Sequence, residues 1–145
     1  VQIPQAVKPE VDSLLKALIA ARPAFCFDVE THPAVQAVAA WSRTLYPHLD
    51  DLSQIAGARI LSAKNDSTAV LKALKHSNAA LIPGVGAVCC AKDQDDLDAI
   101  QTIMRKSCMA ALYADTCSAA PLSPIDRRIM RFVYTMKYAK KKTEQ

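Results

Sequence analysis

At 145 residues, with 51% apolar content and a formal charge of +4, the chain is long enough to bury a core and too apolar for a disordered class. Much of the charge sits near the end, at Lys137, Lys140, Lys141 and Lys142, without the basic, aromatic-interleaved face that a nucleic-acid site needs. No apolar run approaches the roughly 20 residues that span a bilayer, and residues 1–10 have neither a signal nor a transit pattern. The expectation is one cytoplasmic domain over residues 1–145, its last stretch, 135–145, a basic tail, with neither nucleic acid nor membrane as partner.

Pro9 in a first turn with Glu10 and Asp12, followed by Val11, Leu14, Leu15 and Leu18 at helical spacing, predicts a helix ending near Ala21, where Arg22-Pro23 stops it. Residues 24–29 are short, Phe- and Cys-containing and bounded by Pro23 and Pro33, which predicts a buried strand. Pro33 then opens a second helix whose face, Val35, Val38, Ala39 and Ser42, is small enough to approach a sheet closely. Residues 46–57 read as loop plus a short helix ending at Gly57, and residues 59–63 as a strand.

Asp66 is placed to cap a helix carrying Val70, Leu71 and Leu74, with Lys75 and His76 in its last turn. Two apolar runs, 79–82 and 87–90, flank Pro83-Gly84-Val85-Gly86 and read as a buried hairpin. Asp93, with Asp96 three residues on, opens a long helix with Leu97, Ile100, Met104, Cys108 and Ala111 on one face. Ser123-Pro124-Ile125-Asp126 has the order of an N-cap, first-turn proline and N3 carboxylate, and Ile125, Ile129, Phe132, Val133 and Met136 make the last helix amphipathic. Three or four strands among five or six helices give an α/β class with helices covering a small sheet. The element order is not a regular βαβ alternation, so that sheet is expected to be mixed or antiparallel.

Five cysteines, Cys26, Cys89, Cys90, Cys108 and Cys117, show no zinc-ligand spacing, and four lie in apolar patterns. They read as small hydrophobes in a reducing compartment, Cys89 and Cys90 pointing to opposite faces of one strand. Glu30 and His32, alternate residues at the exit of a buried strand, project to one face and could ligate a metal together, with His48, Asp50 and Asp51 completing the site if their loop folds back. The same residues allow the plainer arrangement of a solvated Glu30 and a His32 that caps the following helix.

The run Ala21-Arg22-Pro23, an apolar strand, then Glu30-Thr31-His32-Pro33 resembles the class II aldolase/adducin family, of the L-fuculose-phosphate-aldolase type. In that family a His-x-His-Pro motif supplies two zinc ligands. Residues 72–82 followed by Gly86-Ala87-Val88-Cys89 resemble the family's segment before its third ligand, and residues 93–113 its long helix. The resemblance implies a three-layer α/β/α fold with a small mixed or antiparallel sheet. It also implies zinc acting as a Lewis acid on an enediolate, held by three protein ligands.

Position by position, the first histidine of the pair falls on Glu30, the second on His32 and the third ligand on Val85, which has no ligating atom. The catalytic acid/base falls on or beside Val11, with Glu10 one residue away and so turned roughly 100° around the helix. The family's N-terminal segment, with the Gly- and Ser-rich loops that hold the substrate phosphate, has no counterpart ahead of Val1, and a chain without an initial Met leaves trimming or a larger parent open. The implied protein is a shortened aldolase-like domain with a degenerate metal site and no expected cofactor, serving as a binding or assembly module. Its partners would be a second copy or an aldolase-like subunit, with a sugar-phosphate-like small molecule as ligand. The alternative is a metal-dependent sugar-phosphate aldolase or lyase, with zinc or another divalent metal, whose site another subunit or a missing segment completes. Tyr134 and Tyr138 on the last helix are then candidates to reach a neighbour's site.

Overall fold

The computed structural model describes residues 8–143, with side-chain surroundings through residue 137. Expectations for residues 1–7, for the side chains of Tyr138 and Lys140 to Lys142, and for residues 144–145 lie outside the described residues. Four strands, β1 (Cys26–Glu30), β2 (Leu61–Ser62), β3 (Ala79–Ile82) and β4 (Gly86–Ala91), form one sheet in the order β1-β4-β3-β2. The β1–β4 and β3–β4 pairs are antiparallel and β2 runs parallel to β3, so the sheet is mixed.

The central hairpin forms because its turn chemistry fits. Val85 N donates to Ile82 O at 3.0 Å across Pro83-Gly84, with Gly84 at φ 78°, so proline and glycine occupy the positions a type II turn assigns them. Every residue of β3 and β4 is buried, and the pleat divides them between two cores. Ala79, Leu81, Ala87, Cys89 and Ala91 pack on one side with α2 (Pro33–Ala39), a short π-helix (Leu52–Ala56) and α4 (Gln94–Thr116). Ala80, Ile82, Val88 and Cys90 pack on the other with α1 (Lys8–Ala21) and α3 (Ser67–Ala73). Helices therefore cover both faces in a three-layer α/β/α arrangement, and Cys89 and Cys90 do face opposite cores.

Capping sets the helix starts. His32 caps α2, Asp66 Oδ2 accepts from Ala69 N at 2.9 Å to cap α3, and Asp93 Oδ1 accepts from Asp96 N at 2.9 Å to cap α4. Ser123 Oγ accepts from Asp126 N at 3.2 Å and donates to Asp126 Oδ2 at 2.6 Å, fixing the start of α5 (Pro124–Thr143). Other boundaries depart from the sequence reading. The first strand extends to Glu30, α2 stops at Ala39 and leaves Ser42 beyond it at φ 53°, and α3 stops at Ala73 so that Lys75 and His76 follow it. Within residues 59–63 only Leu61–Ser62 is strand, with Ile60 bridged to Leu45.

The last helix is turned the other way from an ordinary amphipathic helix. Its apolar residues Ile125, Ile129, Phe132, Val133 and Met136 are 43–70% exposed, whereas Arg127 is only 8% exposed. Arginines hold it to the body. Arg131 Nη1 donates to Gln54 O at 2.7 Å and Ile55 O at 2.8 Å, satisfying carbonyls at the end of the π-helix, and its Nη2 donates to Asn78 Oδ1 at 2.6 Å. Asn78 in turn donates its backbone N to Ala56 O at 2.7 Å and its Nδ2 to Cys90 O at 3.2 Å.

Candidate functional site

Alternation along β1 places Cys26, Asp28 and Glu30 on the face toward α4. Two strand residues rise about 6.6 Å and one helical turn about 5.4 Å, so residues two apart on β1 can meet residues four apart on α4. They do so. Gln101 Nε2 donates to Asp28 Oδ2 at 3.0 Å, and four residues on, Arg105 Nε lies 3.0 Å from Glu30 Oε2. Arg105 Nε makes no directed hydrogen bond, so the contact with Glu30 is one of charge.

Glu30 is only 9% exposed, which corrects the solvated arrangement the sequence allowed. Its other oxygen, Oε1, accepts from the backbone N of His32 at 2.9 Å. His32 is engaged too, as the cap of α2, where its Nδ1 accepts from Ala34 N at 3.2 Å. That bond assigns Nδ1 as the acceptor nitrogen, and Nε2 makes no hydrogen bond among the described residues. The carboxylate field reaches two thiols. Burial, then Glu30, pushes Cys108 up to about 12, and burial followed by Glu30 and Asp28 pushes Cys89 well above its ordinary value.

Val85 stands 1% exposed at the end of the hairpin turn, its carbonyl accepting from Gln36 Nε2 of α2 at 3.3 Å. The neighbouring Gly86 pairs next to Glu30: a Cβ added there would collide with the Glu30 carbonyl oxygen, and its φ of 142° is one that side chains rarely adopt. Backbone approach, not metal ligation, explains the glycine at that corner.

The remaining sequence candidates are not brought to this point. Glu10 is exposed on α1 and lines a groove with Ser13, Asn65 and Asp66, a set that contains none of Glu30, His32 and Val85. His48 lines a different cleft with Trp41, Arg43 and Asp115, and Asp51 precedes the π-helix, so neither they nor Asp50 complete a site with Glu30. Among the described residues no three His, Cys, Asp or Glu side chains gather closely enough to hold one metal ion. The donors at this corner, a carboxylate facing a guanidinium, one imidazole nitrogen and a valine, do not fit a zinc centre of three protein ligands.

No protein-family model matches the chain, and no curated protein matches it by sequence. Solved structures do match by shape. A protein described as L-fuculose 1-phosphate aldolase superposes with a TM-score of 0.69 at 13% identity, over 75% of this chain and 55% of that one. The L-fuculose 1-phosphate aldolase of Glaciozyma antarctica gives 0.67 at 17% identity over 84% and 49%. That of Thermus thermophilus gives 0.60 at 15% identity over 78% and 66%. The fold is class II aldolase-like. The chain spans about half to two thirds of the length of these structures. At such identities the class II aldolase-like likeness is one of fold, and chemistry has to be argued from the side chains.

Sequence reasoning missed Arg105, Arg127 and Arg131. The signal for Arg105 was its i, i+4 spacing from Gln101 opposite an alternating Asp28 and Glu30. For Arg127 and Arg131 it was the same spacing on the face opposite Ile125, Ile129 and Phe132.

Proposed function

We propose that this chain is a class II aldolase-like domain that works as a binding or assembly module without standard zinc aldolase chemistry. The observation that carries the reading is the ion pair of Arg105 with Glu30 at 3.0 Å. A guanidinium is a permanent cation with no lone pair to ligate, so it neutralises the carboxylate on which a divalent ion would depend. Val85 removes the third donor, and the outward apolar face of α5 supports assembly with a second copy or an aldolase-like subunit. Metal analysis of the purified protein tests this: stoichiometric zinc that is lost in Glu30→Ala or His32→Ala contradicts it, and protein without stoichiometric metal supports it.

A second reading rests on the fold likeness to proteins described as L-fuculose 1-phosphate aldolases and on the uncommitted Nε2 of His32. In that reading the chain is part of a metal-dependent sugar-phosphate aldolase or lyase, with the remaining donors supplied by another subunit or segment. Retro-aldol cleavage measured across a panel of sugar phosphates with zinc supplied separates the two. Turnover that depends on His32 selects the enzyme.

A further inference from the structure

A polar cleft lies beside the first turn of α5. It occupies about 350 Å³, a size at the low end for small-molecule pockets, and is walled by Tyr46, Arg59, His76, Pro124, Arg127 and Arg128. It has no residue in common with the corner formed by Glu30, His32 and Val85. Three arginines and a histidine line it, and no carboxylate is among the lining residues.

None of the three arginines is in an ion pair among the described residues, where the pairs are Arg43 with Asp115 and Arg105 with Glu30. Asp126, the acid of the same α5 turn, does not line the cleft and is held by the Ser123 hydroxyl at 2.6 Å. Arg127 is the unusual member, because it is 8% exposed and a buried charge is costly unless it is paired. Its Nε donates to Ser123 O at 3.4 Å and its Nη1 to Ala58 O at 3.1 Å, while its guanidinium lies 4.6 Å from the centroid of the Tyr46 ring. Those contacts fix the fork in place. Nη2 makes no hydrogen bond among the described residues and is not among the fully buried polar atoms left without a partner, so it is not completely sealed from the cleft.

We propose that this cleft binds the phosphate group of a small phosphate monoester. The anion would bridge the preset Nη2 edge of Arg127 and the exposed guanidiniums of Arg59 and Arg128, with His76 beside them. Guanidinium forks match phosphate oxygens in geometry as well as charge. A bare phosphate would leave much of the cleft empty. The ring of Tyr46 and the apolar side of Pro124 give the organic part of an ester a wall to lie against.

Calorimetric titration of the full chain with phenyl phosphate and with inorganic phosphate, at about 0.15 M ionic strength, tests the assignment. One site per chain is expected, tighter for the ester, with amide shifts confined to residues 46, 58–59, 76 and 127–128. Arg127 also ties down two carbonyls, so the informative variant is the exposed pair Arg59→Gln with Arg128→Gln. It should weaken binding about tenfold or more, as expected for losing charge-assisted hydrogen bonds. The charge-matched pair Lys16→Gln with Lys72→Gln should not. Absence of a site, or an equal loss in both double variants, overturns the proposal. Equal affinity for inorganic phosphate overturns the ester assignment, and tighter binding of a phosphoserine peptide overturns the small-molecule one. The readout involves neither metal nor aldol cleavage, so its failure is distinct from failure of the assembly-module reading.

Discussion

Arg105 and Glu30 face each other across 3.0 Å between α4 and the end of β1, the arginine 44% and the carboxylate 11% exposed at their side chains. The asymmetry of burial decides which loss matters. Arg105→Met leaves a nearly buried carboxylate with only the His32 amide, and is expected to cost about 1–3 kcal/mol in urea unfolding. The double variant Glu30→Gln with Arg105→Met should recover part of that. Equal stability of wild type and Arg105→Met would show that solvent already screens the pair.

Two glycines in one turn should respond differently to alanine. At Gly84 a Cβ meets nothing within 4 Å, so only the φ of 78° opposes it, at a cost of about 1–2 kcal/mol. At Gly86 the added atom must also displace the Glu30 backbone. Gly86→Ala should therefore be the more destabilising by a clear margin in thermal denaturation, and comparable melting temperatures would contradict the close approach of β1 and β4.

Thiol titration carries a pH signature. Cys108 has its pKa raised from 9.0 to about 12, with burial the main cause and Glu30 the second. Between those values the unfolded thiol has lost its proton and the folded one has kept it, so the native state binds more protons and stability falls as pH rises. The contribution is intact below about pH 9 and gone above about pH 12. Cys108→Ala should flatten the alkaline limb of stability against pH, whatever it costs in packing at neutral pH. In the native protein the exposed Cys117 should react with a thiol reagent well before Cys89 and Cys108.

The outward face of α5 predicts association. Ile129→Asp with Phe132→Asp removes exposed apolar surface and touches no hydrogen bond of the helix, so monomer stability should hold within about 0.5 kcal/mol. Light scattering should show the wild type associating with concentration and the double variant remaining monomeric. Identical masses would remove the support that this face gives to assembly.

Much of the architecture was legible because local chemistry and global fold agree. Pro83-Gly84 announced the turn, Asp66, Asp93 and Ser123 announced three helix starts, and the short unbroken apolar runs at 79–82 and 87–90 on either side of that turn read most simply as strands buried on both faces. The short elements were less legible. The π-helix depends on an i→i+5 bond, Gly57 N to Leu52 O at 2.9 Å, that residue periodicity does not encode. The orientation of α5 was also hidden, since its apolar stripe pointed to a core and its anchoring arginines resembled a solvated face. At the candidate site, sequence placed Glu30, His32 and Val85 together and gave the capping role of His32 as one arrangement. It could not supply Arg105, which belongs to the site through a contact between residues 75 positions apart in the chain.

Asn78 has a consequence for how the molecule comes apart. Its amide nitrogen, side-chain oxygen and side-chain nitrogen each bond a different element: the π-helix, α5 and β4. Lifting α5 would strand the Asn78 oxygen and the π-helix carbonyls at once, coupling a surface helix to the centre of the sheet as one cooperative opening unit. Amide exchange in residues 52–57 should then follow the exchange of α5 and not its own, and Arg131→Met should speed both together while leaving α1 and α3 slow.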